Sequence, residues 1–162
     1  MDYSIRPVSD DDWPVVTAIF NHFVVNSPAA YPDTPVQPGF LRDRHRAAPE
    51  YPFVVVEVDG RIVGFAYLSA VHLVATMRRS AQVTYFILPN HTGHGLGGRL
   101  LELLLEAGRA MGVDNFMAHI SSLNEGSIRF HERHGFTECG RFRRIGTKNG
   151  EDFDMVWMQR LE

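Results

Sequence analysis

Four glycines within six residues, Gly93, Gly95, Gly97 and Gly98, constrain this chain more than any other feature. The run Pro89-Asn90-His91-Thr92-Gly93-His94-Gly95-Leu96-Gly97-Gly98-Arg99 follows an apolar stretch, Val83 to Leu88, that reads as a strand. It leads into Leu96 to Met111, a strongly apolar helical pattern closed by Gly112. Glycines let the backbone approach a ligand closely and turn several N–H groups one way. The helix N-terminus adds unpaired amides and the positive end of its dipole. The segment therefore has the layout of a cradle for an anion such as a pyrophosphate. Gly93, Gly95 and Gly98 also satisfy G-x-G-x-x-G, the dinucleotide-binding fingerprint. That motif turns directly out of its strand, whereas Pro89 to Thr92 intervene here. The stretch after Gly98 is too short for the remainder of a doubly wound fold, and Asp114 precedes the next strand instead of following it. No G-K-[ST] is present, which excludes the nucleotide-triphosphate loop.

The rest of the chain supplies the elements around this loop. Ile5 to Pro7 reads as a strand, and Ser9 to Pro14 as a helix start feeding the apolar face Val15, Val16, Ile19, Phe20 and Phe23. Four prolines make residues 26–38 a loop; Phe40 to Ala48 is a short arginine-rich helix. Asp59-Gly60 between two apolar runs, Phe53 to Val58 and Arg61 to Leu68, is the preferred chemistry of a tight hairpin. Asn115 to Ile120 is a strand, Asn124 to His134 a helix, and Asn149-Gly150 joins two last strands, Phe136 to Ile145 and Phe153 to Leu161. Alternating strands and helices predict an α/β fold with a mixed sheet covered on both faces. At 162 residues this is one domain, residues 1–162.

Composition narrows the function classes. One cysteine rules out a disulfide framework and fits a reducing compartment. No apolar window reaches membrane-span length, and the first residues lack an export signal, so the expected location is the cytoplasm, without membrane contact. A net charge of −3 argues against a nucleic-acid partner. Of the 16 basic residues only Lys148 is lysine; codon bias and arginine's aptitude for phosphate both account for this.

Two motifs together resemble the GNAT superfamily of N-acyltransferases. Its R/Q-x-x-G-x-G/A signature maps onto Thr92-Gly93-His94-Gly95-Leu96-Gly97, and its later helix signature onto Asn124-Glu125-Gly126-Ser127, His131 and Gly135-Phe136. Ser127 to Glu132, Gly146-x-Lys148-x-Gly150 and Asp154 are most similar to the branch containing phosphinothricin and methionine sulfoximine acetyltransferases. The resemblance implies the GNAT fold, an α/β architecture with a mixed central sheet of about seven strands and helices on both faces. It also implies acetyl-CoA as acetyl donor, no metal, a small-molecule amine as acceptor, and a homodimer.

Carried over residue by residue, it gives backbone groups of Phe86, Ile87 and Leu88 to the pantetheine arm and the acetyl carbonyl. The amides of His94, Gly95, Leu96, Gly97, Gly98 and Arg99 hold the pyrophosphate, with Thr92 departing from the usual Arg or Gln. Asn124 and His131, about 10 Å apart along one helix face, then bond the pantetheine amide and reprotonate the leaving thiolate. Arg133 reaches the nucleotide phosphates or lies on a solvated face. Where the branch has a glutamate that assists amine deprotonation, this chain has Gln82, so proton removal through ordered water is expected. In the stretch His72 to Arg79, Arg78 with Arg79 beside it keeps a fork for a carboxylate or phosphinate, and Tyr31 closes the pocket.

Other constellations are read as structural. The pairs His91/His94 and His131/His134 lack a completing ligand set for zinc. Cys139 is expected in the core, Arg141, Arg143 and Arg144 on a solvated face or at a phosphate or dimer contact, and the run Leu100 to Leu105 in the core or a dimer seam. The expected activity is acetyl transfer to a small amino-acid-like primary amine. The alternatives are a protein N-terminal or lysine acetyltransferase and an acyl-CoA-binding sensor without turnover.

Overall fold

A computed structural model describes residues 1–162. Seven strands form one sheet in the order β1-β2-β3-β4-β5-β7-β6: β1 Ser4–Pro7, β2 Phe53–Val58, β3 Arg61–Ala70, β4 Ser80–Ile87, β5 Asn115–Ser121, β6 Thr137–Lys148 and β7 Glu151–Leu161. Only the β4–β5 pair is parallel, so the sheet is mixed. The helices are α1 Trp13–Asn26, α2 Gly39–Ala47, α3 Leu96–Ala110 and α4 Glu125–Arg133.

Side-chain alternation sorts two cores onto the two faces. Val54, Val56, Ala66, Leu68, Ala81, Val83, Phe116, Ala118 and Ile120 face α3, whose Leu100, Leu101, Leu104 and Leu105 are fully buried, and Ile128 and Phe130 of α4 pack against the same cluster. The leucine run is thus core, and no helix is long and apolar enough to cross a membrane. Phe53, Val55 and Phe65 face the other way, under Val16, Ile19, Phe20 and Val24 of α1 and Leu41 of α2. Helices cover both faces.

Two boundaries move. β4 begins at Ser80, earlier than its apolar run suggests, because Ser80 to Gln82 pair with Asn115 to Met117 of β5. β6 runs to Lys148 in a long hairpin with β7. Since β7 inserts between β5 and β6, β6 is an edge strand, exposed almost throughout. Cys139 is consequently exposed, correcting its expected place in the core. Arg141 does lie on the solvated face, paired with Glu138 and Asp154.

The feature that positions the site is the length of the β4–β5 pairing. Only Ser80, Ala81 and Gln82 have partners on β5, while β4 continues to Ile87 and β5 to Ser121. Beyond Gln82 the strands part, leaving a wedge-shaped gap within the sheet whose β4 edge has no strand to pair with.

Candidate active site

A cavity of about 1560 Å³ runs through this gap and reaches both faces of the sheet. One small ligand fills roughly 300–1000 Å³, so the cavity has room for two. On the α3/α4 side it is lined by the glycine loop and the start of α4, including Thr92, Gly93, Gly95, Leu96, Gly97 and Gly98. Gly95 caps α3 at φ 76°, a left-handed conformation that costs other residues strain. The first backbone bond into α3 comes from the Arg99 amide to the Gly95 carbonyl at 3.1 Å, and no amide from Gly93 to Gly98 bonds to backbone. Gly97 admits α4 beside this end: a Cβ there would lie 3.1 Å from the Phe130 ring. The result is a row of free amides at a helix N-terminus, a cradle fit for a pyrophosphate.

His131 of α4 is 3% exposed. Its Nδ1 lies 2.7 Å from the Ser127 carbonyl, which only accepts, so Nδ1 carries the proton. Nε2 is therefore the acceptor and takes a hydrogen bond from the hydroxyl of Tyr85, a partly buried residue of β4. Burial pushes His131 down to about 4, the Ser127 bond opposing that shift only in part. An imidazolium at this position is thus not populated near neutral pH. His131 is neutral, with both nitrogens engaged. Asn124 lines the cavity and caps α4, its Oδ1 accepting from the Ser127 amide at 3.3 Å.

On the α1/α2 side the lining includes Gln82, Thr84, Phe86, Tyr67, His119, Tyr31 and Arg44. No Asp or Glu lines the cavity anywhere. Tyr31 stacks on His119 with ring centroids 5.5 Å apart and on Phe153 at 5.7 Å, closing this side as a lid. Burial pushes its phenol up to about 12. The lid is pinned by Lys148, whose Nζ donates to the carbonyls of Ser27 at 2.9 Å and Ala30 at 2.6 Å.

Among the expected site residues, Gln82, Phe86, Ile87, Gly95, Leu96, Gly97, Gly98, Asn124, His131, Arg133 and Tyr31 line this one cavity. Others do not. Leu88 is packed into the core with its amide on the Val63 carbonyl. His94 turns its ring toward Tyr3, and Arg99 reaches back toward the Tyr3 carbonyl at 3.4 Å, on the outer side of the loop. The fork expected from Arg78 and Arg79 is corrected as well. Arg79 is exposed and spent on Asp114, with contacts of 2.9 and 2.5 Å that tie the starts of β4 and β5 together. Arg78 and His72 are exposed, outside the cavity, because a short 3-10 turn, Ala75–Met77, carries this stretch along the surface.

Sequence reading missed Arg44, Tyr85 and His119. The β5 alternation carried a signal for the last: Phe116, Ala118 and Ile120 share the core face, which turns Met117 and His119 the other way.

A sheet parted between two strands, with an amide cradle on one side and a closed pocket on the other, is the arrangement of an acyl-CoA-dependent transferase. Residues 16–136 match the Acetyltransferase (GNAT) family, and the chain belongs to it. It is 33% identical to the L-methionine sulfoximine/L-methionine sulfone acetyltransferase of Pseudomonas aeruginosa, over 98% of this chain and 94% of that one. It is 31% identical to the phosphinothricin N-acetyltransferase of Streptomyces viridochromogenes, over 96% and 86%. Among solved structures, a phosphinothricin acetyltransferase from Sinorhizobium meliloti in complex with acetyl-CoA superposes with a TM-score of 0.91 at 29% identity, over 99% and 89%. A ribosomal-protein-alanine N-acetyltransferase from Brucella melitensis gives 0.87 at 31%, over 98% and 99%.

Proposed function

We propose that this enzyme moves the acetyl group of acetyl-CoA to the primary amine of a small amino-acid-like molecule of the phosphinothricin or methionine sulfoximine type. The observation that carries this reading is the parted β4–β5 gap, with free loop amides behind it and a lidded pocket in front. The amides from Gly95 to Gly98 hold the pyrophosphate, Arg133 adds charge, and Asn124 keeps its Nδ2 for the pantetheine. Backbone groups of Phe86 and Ile87 along the unpaired β4 edge receive the arm and the developing oxyanion. His131, neutral, fixes the Tyr85 hydroxyl beside the gap. Arg44, with no acid near it in the cavity, takes the acceptor's acidic group in place of Arg78.

The alanine-acetylating neighbour favours a second reading, transfer to a protein N-terminus, against which stands the lid pinned by Lys148. We place the enzyme in the cytoplasm. It is read as a homodimer through β6, an edge strand that exposes Phe142 and Ile145. The test is thiol release from acetyl-CoA with a panel containing phosphinothricin, methionine sulfoximine, plain amino acids and an alanine-starting peptide. Release with the small amines is expected. Release with the peptide alone would establish the second reading, and tight acetyl-CoA binding without any release would make the chain a sensor.

A further inference from the structure

The pocket poses a chemical problem. An aliphatic amine is an ammonium ion near neutral pH and must lose a proton before it can attack a thioester. Gln82, on β4 at the mouth of the gap, is an amide and cannot take that proton. No carboxylate lines the cavity to take it instead. The bases available are therefore the lining histidines, His45, His119, His131 and His134.

Three of the four are spent or misplaced. His131 holds the Ser127 carbonyl and the Tyr85 hydroxyl, on the α3/α4 side. His134 donates from Nδ1 to the Phe130 carbonyl at 2.8 Å and sits beside Gly98 at the cradle. His45 is packed between Trp13 and Phe53, with ring centroids 5.8 and 5.6 Å away, over β2 and away from the gap.

His119 differs on each count. It stands on β5 two residues beyond Met117, the last partner of Gln82, so it faces the acceptor pocket where the strands have just parted. Its ring stacks on Tyr31 at 5.5 Å and meets the tilted ring of Trp157 at 5.0 Å, contacts on two sides that fix its orientation. Its Nδ1 lies 3.3 Å from the Tyr31 hydroxyl, and its Nε2 makes no hydrogen bond in the chain. The charged and titratable groups acting on it are Tyr31 on the lid and Arg44 on α2, with Gln82 across the gap and nonionising Trp157 on β7. Burial and the Arg44 charge both lower its pKa, so the ring is neutral and ready to accept at neutral pH.

Resting on the acetyl-transfer reading, we propose that His119 is the proton acceptor for the attacking amine, through Nε2, in the place left without a carboxylate at Gln82. The ammonium gives one proton to Nε2 and becomes the free amine. Its nitrogen lone pair forms the C–N bond at the thioester carbonyl, and the C–S bond then breaks with its electron pair on sulfur. The second nitrogen proton goes to that sulfur, leaving amide and thiol, and imidazolium Nε2 returns its proton to solvent.

The experiment compares wild type with His119→Gln by thiol release across pH 5–9, with acetyl-CoA affinity measured by calorimetry. For wild type, kcat/KM for the amine rises through a midpoint below 6.5 and then levels. In H119Q, kcat falls about 100-fold at pH 7, the size of a lost general base; the plateau gives way to a continuous rise with pH, and acetyl-CoA Kd is unchanged. A variant within about threefold of wild type that keeps the plateau overturns the proposal. If H119Q does not fold, a histidine NMR titration of wild type decides: the His119 signal must titrate at the kinetic midpoint, and a mismatch overturns the assignment. Wild type that binds acetyl-CoA but acetylates no amine fails at the acetyl-transfer reading itself, and this proposal falls with it.

Discussion

Replacing His131 with glutamine should change how stability depends on pH by an amount the structure sets. His131 has a folded-state pKa near 4 against an ordinary 6.5, caused chiefly by burial. Above pH 6.5 neither the folded nor the unfolded chain carries this proton, and the group contributes no pH dependence. Below 6.5 the unfolded chain binds it and the folded chain does not, so stability falls until the pH reaches the folded-state value. Between pH 7 and pH 5 that loss is about 2 kcal/mol, from the linkage of two pKa values 2.5 units apart. Glutamine is neutral, and its amide can still accept from Tyr85 and donate to the Ser127 carbonyl. Other groups, including His45 and His119 with lowered pKa values of their own, titrate alike in both proteins and cancel in the comparison. Urea unfolding at pH 7 and pH 5 should therefore show wild type losing about 2 kcal/mol more than H131Q over this interval. Equal losses would mean that His131 is protonated in the folded state, and the neutral pair with Tyr85 would have to be abandoned.

Two further substitutions probe the acceptor side. Arg44→Gln should raise KM for an acid-bearing amine at least tenfold, the scale of one lost charge-assisted hydrogen bond, while Arg78→Gln leaves it within about twofold; steady-state kinetics on the two variants distinguishes the forks. Lys148→Met orphans the carbonyls of Ser27 and Ala30 and should cost about 2 kcal/mol of stability in urea. The same change should loosen Tyr31 and raise amine KM, leaving acetyl-CoA Kd as it was.

Much of the fold is legible in the chain because the signals are local. Asp59-Gly60 and Asn149-Gly150 mark two hairpins, and both are where the strands turn. The glycine loop marks the end of β4 and the start of α3 in the same way, by what its backbone must do. The site is less legible because it is assembled from elements distant in sequence. Arg44 belongs to a short arginine-rich helix, and only the packing of α2 over the sheet distinguishes it from Arg42 and Arg46. Arg78 and Arg79 look like a fork in sequence, yet the loop's path sends one to solvent and the other to Asp114. Cys139 looks like a core residue in sequence because strand order cannot be read from strand succession: nothing local says that β7 lies between β5 and β6. The helix motif marks His131, but its charge state depends on the depth at which α4 buries it, which no spacing encodes.

Lys148 has one more consequence, a matter of chemical self-protection. A thioester reacts with exposed lysine amines, and an enzyme that keeps one bound is the first nucleophile it meets. Here the sole lysine side chain is 7% exposed, its Nζ turned inward on two carbonyls, and every other basic side chain apart from the histidines is a guanidinium that stays protonated. The surface therefore offers the donor no lysine amine to compete for the acetyl group.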